Sequence, residues 1–352
     1  MKKPAVTEKQ VRDALATVQE PELHRDLISL DFVRDIRITG TDVSFSITLT
    51  TPACPLKDRI REESEQAIRK LVPAAGRIEI AFDAKVRADK RIQEKINLPI
   101  KTIIAVGSGK GGVGKSTVSV NLAVGLAMAG AAVGLLDADI YGPNVPTLMG
   151  VDELPPPEGE KIVPALAHGV KVMSMGFLVG QEEALVWRGP MIHSALRQLL
   201  TEVVWGELDY LVVDLPPGTG DAQLSIAQLV PLSAGVVVTT PQLLSVSDAR
   251  RGITAFQKLN VPVLGIVENM SGEVFGSGGG ERAAAEMGIP FLGRIPLDPR
   301  VSRLGDEGHP VAGIADTPGE PPFASRQAFR DLARSIAAAL SVLQFQSSGG
   351  GR

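Results

Sequence analysis

The run Gly109-Lys110-Gly111-Gly112-Val113-Gly114-Lys115-Ser116 constrains this chain more than any other segment. It fits the pattern G-x-x-x-x-G-K-[ST], follows the apolar stretch Thr102 to Val106, and opens a helical stretch from Thr117 to Ala129. Glycines at such a junction let successive backbone N–H groups turn inward around phosphate oxygens, and the helix N-terminus adds partial positive charge. Lys115 is then expected to reach the β and γ phosphates of a nucleotide, and Ser116 to ligate Mg2+. A plain strand-to-helix turn would account for the glycines, but it leaves the Lys-Ser pair without a purpose.

Two acidic segments suit the same chemistry. Leu135-Leu136-Asp137-Ala138-Asp139 ends an apolar stretch with carboxylates two apart, which face the same way if the strand persists. Their plainer reading is an acidic strand-to-loop exit, a reading that weakens beside a phosphate loop. Leu211-Val212-Val213-Asp214 is an apolar strand terminating in a carboxylate suited to the Mg2+ shell. Pro216-Pro217-Gly218-Thr219-Gly220-Asp221 follows it as a switch-like turn in which Gly218 can offer a backbone N–H to the γ phosphate. At the end of a later strand, Glu268-Asn269-Met270-Ser271 lacks the aspartate of the Asn-Lys-x-Asp run that reads guanine, so ATP is the expected nucleotide.

Strands and helices alternate from Lys101 onward. Thr102 to Val106, Ala132 to Leu136, Tyr210 to Val213, Gly235 to Thr239, Val263 to Val267 and Phe291 to Leu292 read as buried parallel strands joined by helical crossovers. The expected fold class is therefore α/β, a doubly wound parallel-sheet P-loop NTPase domain spanning 101–345. Its last helix, near Ser325 to Leu343, puts Phe329, Leu332, Ile336 and Leu340 on one stripe expected to dock on the sheet, ahead of a flexible tail at 346–352.

Residues 1–86 follow a different pattern. Thr7 and Gln10 form a capping-box signature ahead of Val11, Leu15 and Val18. Leu30 to Ile38 and Val43 to Leu49 alternate about a Gly40-Thr41-Asp42 turn, and a charged helix from Leu56 to Leu71 precedes a strand from Arg77 to Phe82. This is a small α+β domain, with 87–100 as the expected linker.

With 352 residues, a net charge of −4 and 4% aromatics, the chain offers no general basis for binding nucleic acid. No window approaches ~18 uninterrupted apolar residues and no signal peptide opens the chain, so a cytoplasmic protein without membrane attachment is expected. A single cysteine, Cys54, excludes an internal disulfide and any four-cysteine site built by one chain. His24, His168, His193 and His309 lack ligand spacing and read as ordinary histidines.

Lys110, directly after the first glycine of the loop, carries the chain beyond an ordinary P-loop. Lys-Gly-Gly-Val-Gly-Lys-Ser-Thr at 110–117 resembles the deviant Walker A signature of the MinD/ParA/nitrogenase-iron-protein ATPases. That resemblance implies that Lys110 reaches across a homodimer to the partner's nucleotide, that Asp139 positions the attacking water, that Asp137 lies near Mg2+ or the phosphates, and that Asn269 contacts adenine. Asp139 to Pro146, Asp214 to Asp221, Thr240-Pro241-Gln242 and Glu268 to Ser271 are similar to the Mrp/ApbC branch, the iron-sulfur cluster carrier ATPases. Leu49-Thr50-Thr51-Pro52-Ala53-Cys54-Pro55-Leu56 is similar to the small iron-sulfur assembly domain often fused to them. The implied activity is ATP hydrolysis coupled to cluster assembly and transfer to apoproteins.

One departure bears on the cargo. Members of this branch follow Asn-Met-Ser with a Cys-x-x-Cys pair, and two subunits hold a [4Fe-4S] cluster between them; here the segment reads Gly272-Glu273-Val274-Phe275-Gly276-Ser277-Gly278. Without those thiolates the standard cluster site is not assembled. Cys54, at a strand-to-helix junction, is either a thiolate of lowered pKa that ligates a cluster or a small buried apolar residue. A nucleotide-switched adaptor of the MinD/ParA class that carries no cluster is the alternative to a cluster carrier.

Overall fold

The computed structural model describes residues 6–140, 142–177, 189–218, 226–227, 229–316 and 322–347. The fold divides into two compact units, one comprising the chain up to Arg87 together with the chain from Ala337 onward, the other running from Ala88 to Ile336.

In the first unit, α1 (Glu8–Leu15) starts at the expected capping box: the Thr7 hydroxyl accepts the Gln10 N–H, and the Gln10 side chain accepts the Thr7 N–H at 3.0 Å. Two short strands, β1 (Gln19–Glu20) and β2 (Arg25–Asp26), pair antiparallel. Next comes a hairpin of β3 (Val33–Thr39) and β4 (Asp42–Leu49), with Thr39 opposite Asp42. The first strand begins at Val33, three residues later than its pattern predicts, because Leu30 and Phe32 are buried in the preceding turn. Helix α2 (Lys57–Leu71) crosses to β5 (Ile78–Ala84), which runs parallel to β4. Val43, Phe45, Ile47 and Leu49 bury one face of β4, and Ile60, Ser64 and Ile68 bury one stripe of α2, so the period of each element sets its buried side.

In the second unit, α3 (Lys90–Ile96) leads into β6 (Ile100–Ser108), α4 (Lys115–Met128), β7 (Val133–Asp137) and α5 (Val145–Met149). A hairpin of β8 (Ala165–Ala167) and β9 (Val170–Ser174) precedes α6 (Gly189–Thr201) and β10 (Leu208–Asp214). The rest is β11 (Ala234–Thr239), α7 (Leu243–Lys258), β12 (Val263–Ser271), α8 (Gly279–Met287), β13 (Phe291–Pro296) and α9 (Pro299–Asp306). The sheet order is β13-β12-β11-β6-β10-β7-β9-β8, parallel throughout except for the edge hairpin. This is the expected doubly wound sheet with the edge hairpin of β9 and β8 added, its outermost strand antiparallel. The chain winds to either side of β6, so the loop after β6 opens into the crevice where such sheets bind ligands.

Two boundaries differ from the sequence expectation. The expected linker at 87–100 contains α3, whose Ile92 is fully buried in the core of the second unit, while Asp89 bonds Arg91 and Ser233. High charge density masked this short amphipathic helix. The final helix, α10 (Ala324–Ser347), runs beyond the expected domain end at 345, and from Ala337 it groups with the first unit. Phe345 is buried in that unit's core, with the Arg25 and Arg87 guanidinium groups 5.7 and 4.8 Å from its ring. Residues 348–352 of the expected tail lie outside the described residues. The edge hairpin was not foreseen; its cue is His168-Gly169, whose φ angles of 50° and 76° suit a two-residue turn. Among the described residues, no helix is long and apolar enough to cross a membrane.

Candidate functional site

The phosphate loop joins β6 to α4 as expected, and two of its glycines are required by close approach. A Cβ on Gly109 would lie 2.0 Å from the Asp248 carbonyl group. Gly114 has a φ of +80°, and a Cβ there would lie 2.2 Å from Nδ2 of Asn269. The loop borders a cavity of about 530 Å3 whose lining includes Lys110, Lys115, Ser116, Thr117, Asp139 and Asn144.

Behind the loop, side chains from three strands and a helix converge. Lys115 Nζ donates to Oδ2 of Asp214 at 2.7 Å and lies 3.8 Å from Asp139 Oδ2. The Ser116 hydroxyl donates to the same Asp214 oxygen at 2.6 Å, and the Ser119 hydroxyl to its Oδ1 at 2.5 Å. Asp214 ends β10 directly opposite Asp137 at the end of β7, so strand register sets two fully buried carboxylates side by side. Burial, and then the charge of Asp214, push the Asp137 carboxyl up from its usual range.

Asp137 and Asp139 do not face the same way, because β7 stops at Asp137. Asp137 turns inward, accepting the N–H groups of Asp139 and Val145 and the Ser174 hydroxyl, whereas Asp139 lines the cavity. Neither Ser119 nor Ser174 was singled out in the sequence. Ser119 lies one turn beyond Lys115 on the same helix, which was an available signal; nothing local marks Ser174.

Other expected contacts are occupied differently in this conformation. The Gly218 N–H, expected at the γ phosphate, donates to the Ser108 carbonyl at 3.0 Å. Thr219, Gly220 and Asp221 of the same turn lie outside the described residues. The Asn269 amide, expected at adenine, donates to the Val113 carbonyl at 2.9 Å and so braces the phosphate loop. Val113 is buried, with its carbonyl turned to Asn269, while Gly111 and Gly112 border the cavity.

The segment after Ser271, where the resemblance implied a cysteine pair, is closed on itself. Gly272 and Gly276 form a bridge, and the fully buried Glu268 accepts the N–H groups of Gly278 and Gly280, the Ser271 hydroxyl and the Arg294 guanidinium. In the first unit Cys54 is half-buried, and burial, with Glu22 and Glu20 nearby, pushes its thiol up to about 11. Of the two sequence readings of Cys54, this favours the small buried residue over the activated thiolate: the Leu56 N–H favours the thiolate, but desolvation outweighs it. Burial and Glu20 likewise push Glu22 up to about 7. Among the described residues, no three His, Cys, Asp or Glu side chains are grouped to hold a metal ion.

A glycine-rich loop at the switch point of a doubly wound sheet, with its lysine and serine on a strand-end aspartate, defines the class of P-loop nucleotide-binding proteins. Residues 99–337 match the family described as NUBPL iron-transfer P-loop NTPase, and residues 8–80 match the iron-sulfur cluster assembly protein family. The chain belongs to this family of iron-transfer P-loop NTPases, with an iron-sulfur assembly domain at its front, as the Mrp/ApbC resemblance implied. It is 47% identical over 354 residues to the iron-sulfur cluster carrier protein of Synechocystis sp., covering 96% of this chain and 99% of the relative. It is 43% identical to the chloroplastic Fe-S cluster assembly factor HCF101 of Arabidopsis thaliana, covering 86% of this chain and 59% of that protein. Among solved structures, the nucleotide-binding protein of Archaeoglobus fulgidus in complex with ADP is 37% identical, with a TM-score of 0.56 over 68% of this chain and 99% of that one. The cell division ATPase MinD of Pyrococcus furiosus is 26% identical, with a TM-score of 0.54 over 67% and 98% of the two chains.

Proposed function

We propose that this protein is a Mg-ATP-dependent ATPase that works as a homodimeric carrier or scaffold in iron-sulfur cluster assembly and passes its cluster, as cargo, to apoproteins. The observation that carries the nucleotide part is the convergence of Lys115 and Ser116 on Asp214 beneath the phosphate loop. The relatives named as cluster carriers support the cargo part.

In the nucleotide-bound protein the Lys115 ammonium moves from Asp214 to the β and γ phosphates, where it offsets phosphoryl charge. The loop N–H groups orient the phosphates, and Asp139 holds the attacking water in line. Lys110 of one copy is directed to the nucleotide of the other, coupling hydrolysis to dimer geometry. An all-oxygen donor set fits Mg2+: the Ser116 hydroxyl with the Asp214 carboxylate, and Asp137 behind them. When bound, Mg2+ would neutralise charge on the phosphate oxygens.

The cargo ligands do not follow the family pattern. One chain brings one thiol, half-buried and with a raised pKa, so a homodimer supplies two sulfurs from its assembly domains. A cluster carried here takes its remaining ligands from donor or recipient. The same observation favours a second reading, a nucleotide-switched adaptor that docks assembly partners and carries no cluster.

Anaerobic reconstitution with iron and sulfide, read by iron counting and visible absorbance, separates the two. Bound iron in wild type that is lost in Cys54→Ser supports the carrier with Cys54 as ligand. Equal iron in both excludes Cys54 as a required ligand, and no iron in either overturns the carrier reading in favour of the adaptor.

A further inference from the structure

We propose that Ser119, outside the phosphate-loop motif, is a positioning residue for Asp214; the proposal rests on the Mg-nucleotide reading above. Ser119 lies in α4 one turn beyond Lys115 and is fully buried. Its hydroxyl has one proton and two acceptors in reach, the Lys115 carbonyl at 3.1 Å and Oδ1 of Asp214 at 2.5 Å. A serine inside a helix often donates to the carbonyl four residues back, a bond that serves the helix alone. Here the two distances decide the direction. The short contact to a carboxylate is the charge-assisted bond and takes the proton, leaving the carbonyl at the edge of hydrogen-bonding range.

This bond divides the Asp214 carboxylate between two tasks. Oδ1 is held by Ser119, and Oδ2 faces Lys115 and Ser116. The terminal torsion of an aspartate is broad and two-fold, so hydrogen bonds rather than rotamer preference fix it. Without Ser119, Oδ1 loses its hydrogen bond at a fully buried position beside Asp137, and the carboxylate turns to share Lys115 and Ser116 between both oxygens. Oδ2 is then no longer aimed at the hydroxyl with which it would hold Mg2+. The nucleotide itself is held by the loop amides and Lys115, so the loss falls on metal dependence.

The test uses the full-length chain as wild type, Ser119→Ala and Ser119→Thr, with fluorescent ADP binding measured in EDTA and across a Mg2+ titration, and Mn2+ binding measured by electron paramagnetic resonance. Loss of a charge-assisted bond predicts that Ser119→Ala needs at least about ten-fold more Mg2+ for half-maximal enhancement of ADP binding, with a matching loss of Mn2+ affinity. Binding in EDTA should stay within about two-fold of wild type, and Ser119→Thr should restore the metal dependence. Wild-type metal dependence in Ser119→Ala, with only a lowered thermal midpoint, overturns the proposal in favour of a helix back-bond. If Ser119→Ala does not fold, Ser119→Cys replaces it with a weak, longer donor, and wild-type metal dependence there overturns the proposal equally. A wild-type protein that binds ADP with no response to Mg2+ defeats the underlying Mg-nucleotide reading instead.

Discussion

Replacing Lys115 tests the site apart from any turnover assay. Its ammonium donates to the buried Asp214 at 2.7 Å and lies 3.8 Å from Asp139. The Lys115 side chain is 7% exposed and that of Asp214 0%. Removing one member of a buried pair leaves the other charge uncompensated, at a cost of ~3 to 5 kcal/mol. The Ser116 and Ser119 hydroxyls remain on Asp214 in Lys115→Ala, which points to the low end, about 3 kcal/mol. With a urea m-value of about 3 kcal/mol/M for a unit of this size, the unfolding midpoint should fall by about 1 M. Trp205, buried in the core of the second unit, reports that transition by fluorescence in nucleotide-free protein. Adding Asp214→Asn to Lys115→Ala should recover most of the loss, because the stranded charge is gone, while nucleotide binding stays abolished. A Lys115→Ala midpoint within about 0.2 M of wild type would refute the argument that this ion pair holds the loop in place.

Two further outcomes follow from the first unit. Phe345→Ala should destabilise that unit by ~3 to 4 kcal/mol through a core cavity, seen as faster hydrogen exchange in α1 and α2 with α4 unchanged. Equal exchange in both units would count against Phe345 as part of that core. Cys54, with its thiol pushed up to about 11, should carry about a hundred-fold less thiolate at pH 8 than a free thiol and, since a more basic thiolate is the better nucleophile, be alkylated about ten-fold more slowly. Its rate should rise about ten-fold per pH unit until the thiolate predominates; a plateau near pH 7 would mean the thiol is activated after all.

Much of the nucleotide site was legible because its chemistry is local. The loop glycines, Lys115 and Ser116 are contiguous, and the strand-end carboxylates Asp137 and Asp214 are announced by the apolar runs before them. The capping box at Thr7 and Gln10 formed as read, since both partners lie within one turn. Contacts between distant segments were not legible. Ser174 meets Asp137, 37 residues away, and Asn269 meets Val113, 156 residues away, through strand order alone. The state of the Cys54 thiol stayed open in the sequence, between an activated thiolate and a buried residue; burial, with Glu22 and Glu20 nearby, decides against activation.

By itself, then, the sequence determined the class of the protein: a phosphate loop between a strand and a helix, acidic strand ends, and a single cysteine, too few for an internal disulfide or a four-cysteine site within one chain. Periodicity and short motifs carry such information because backbone geometry and side-chain alternation are properties of neighbouring residues. Tertiary structure decided which charges share a cavity, which oxygen of Asp214 faces Ser116, and that Phe345 belongs to a core built mainly by residues up to Val72. Those outcomes depend on strand register and burial, which set distances and desolvation between residues that the chain keeps far apart.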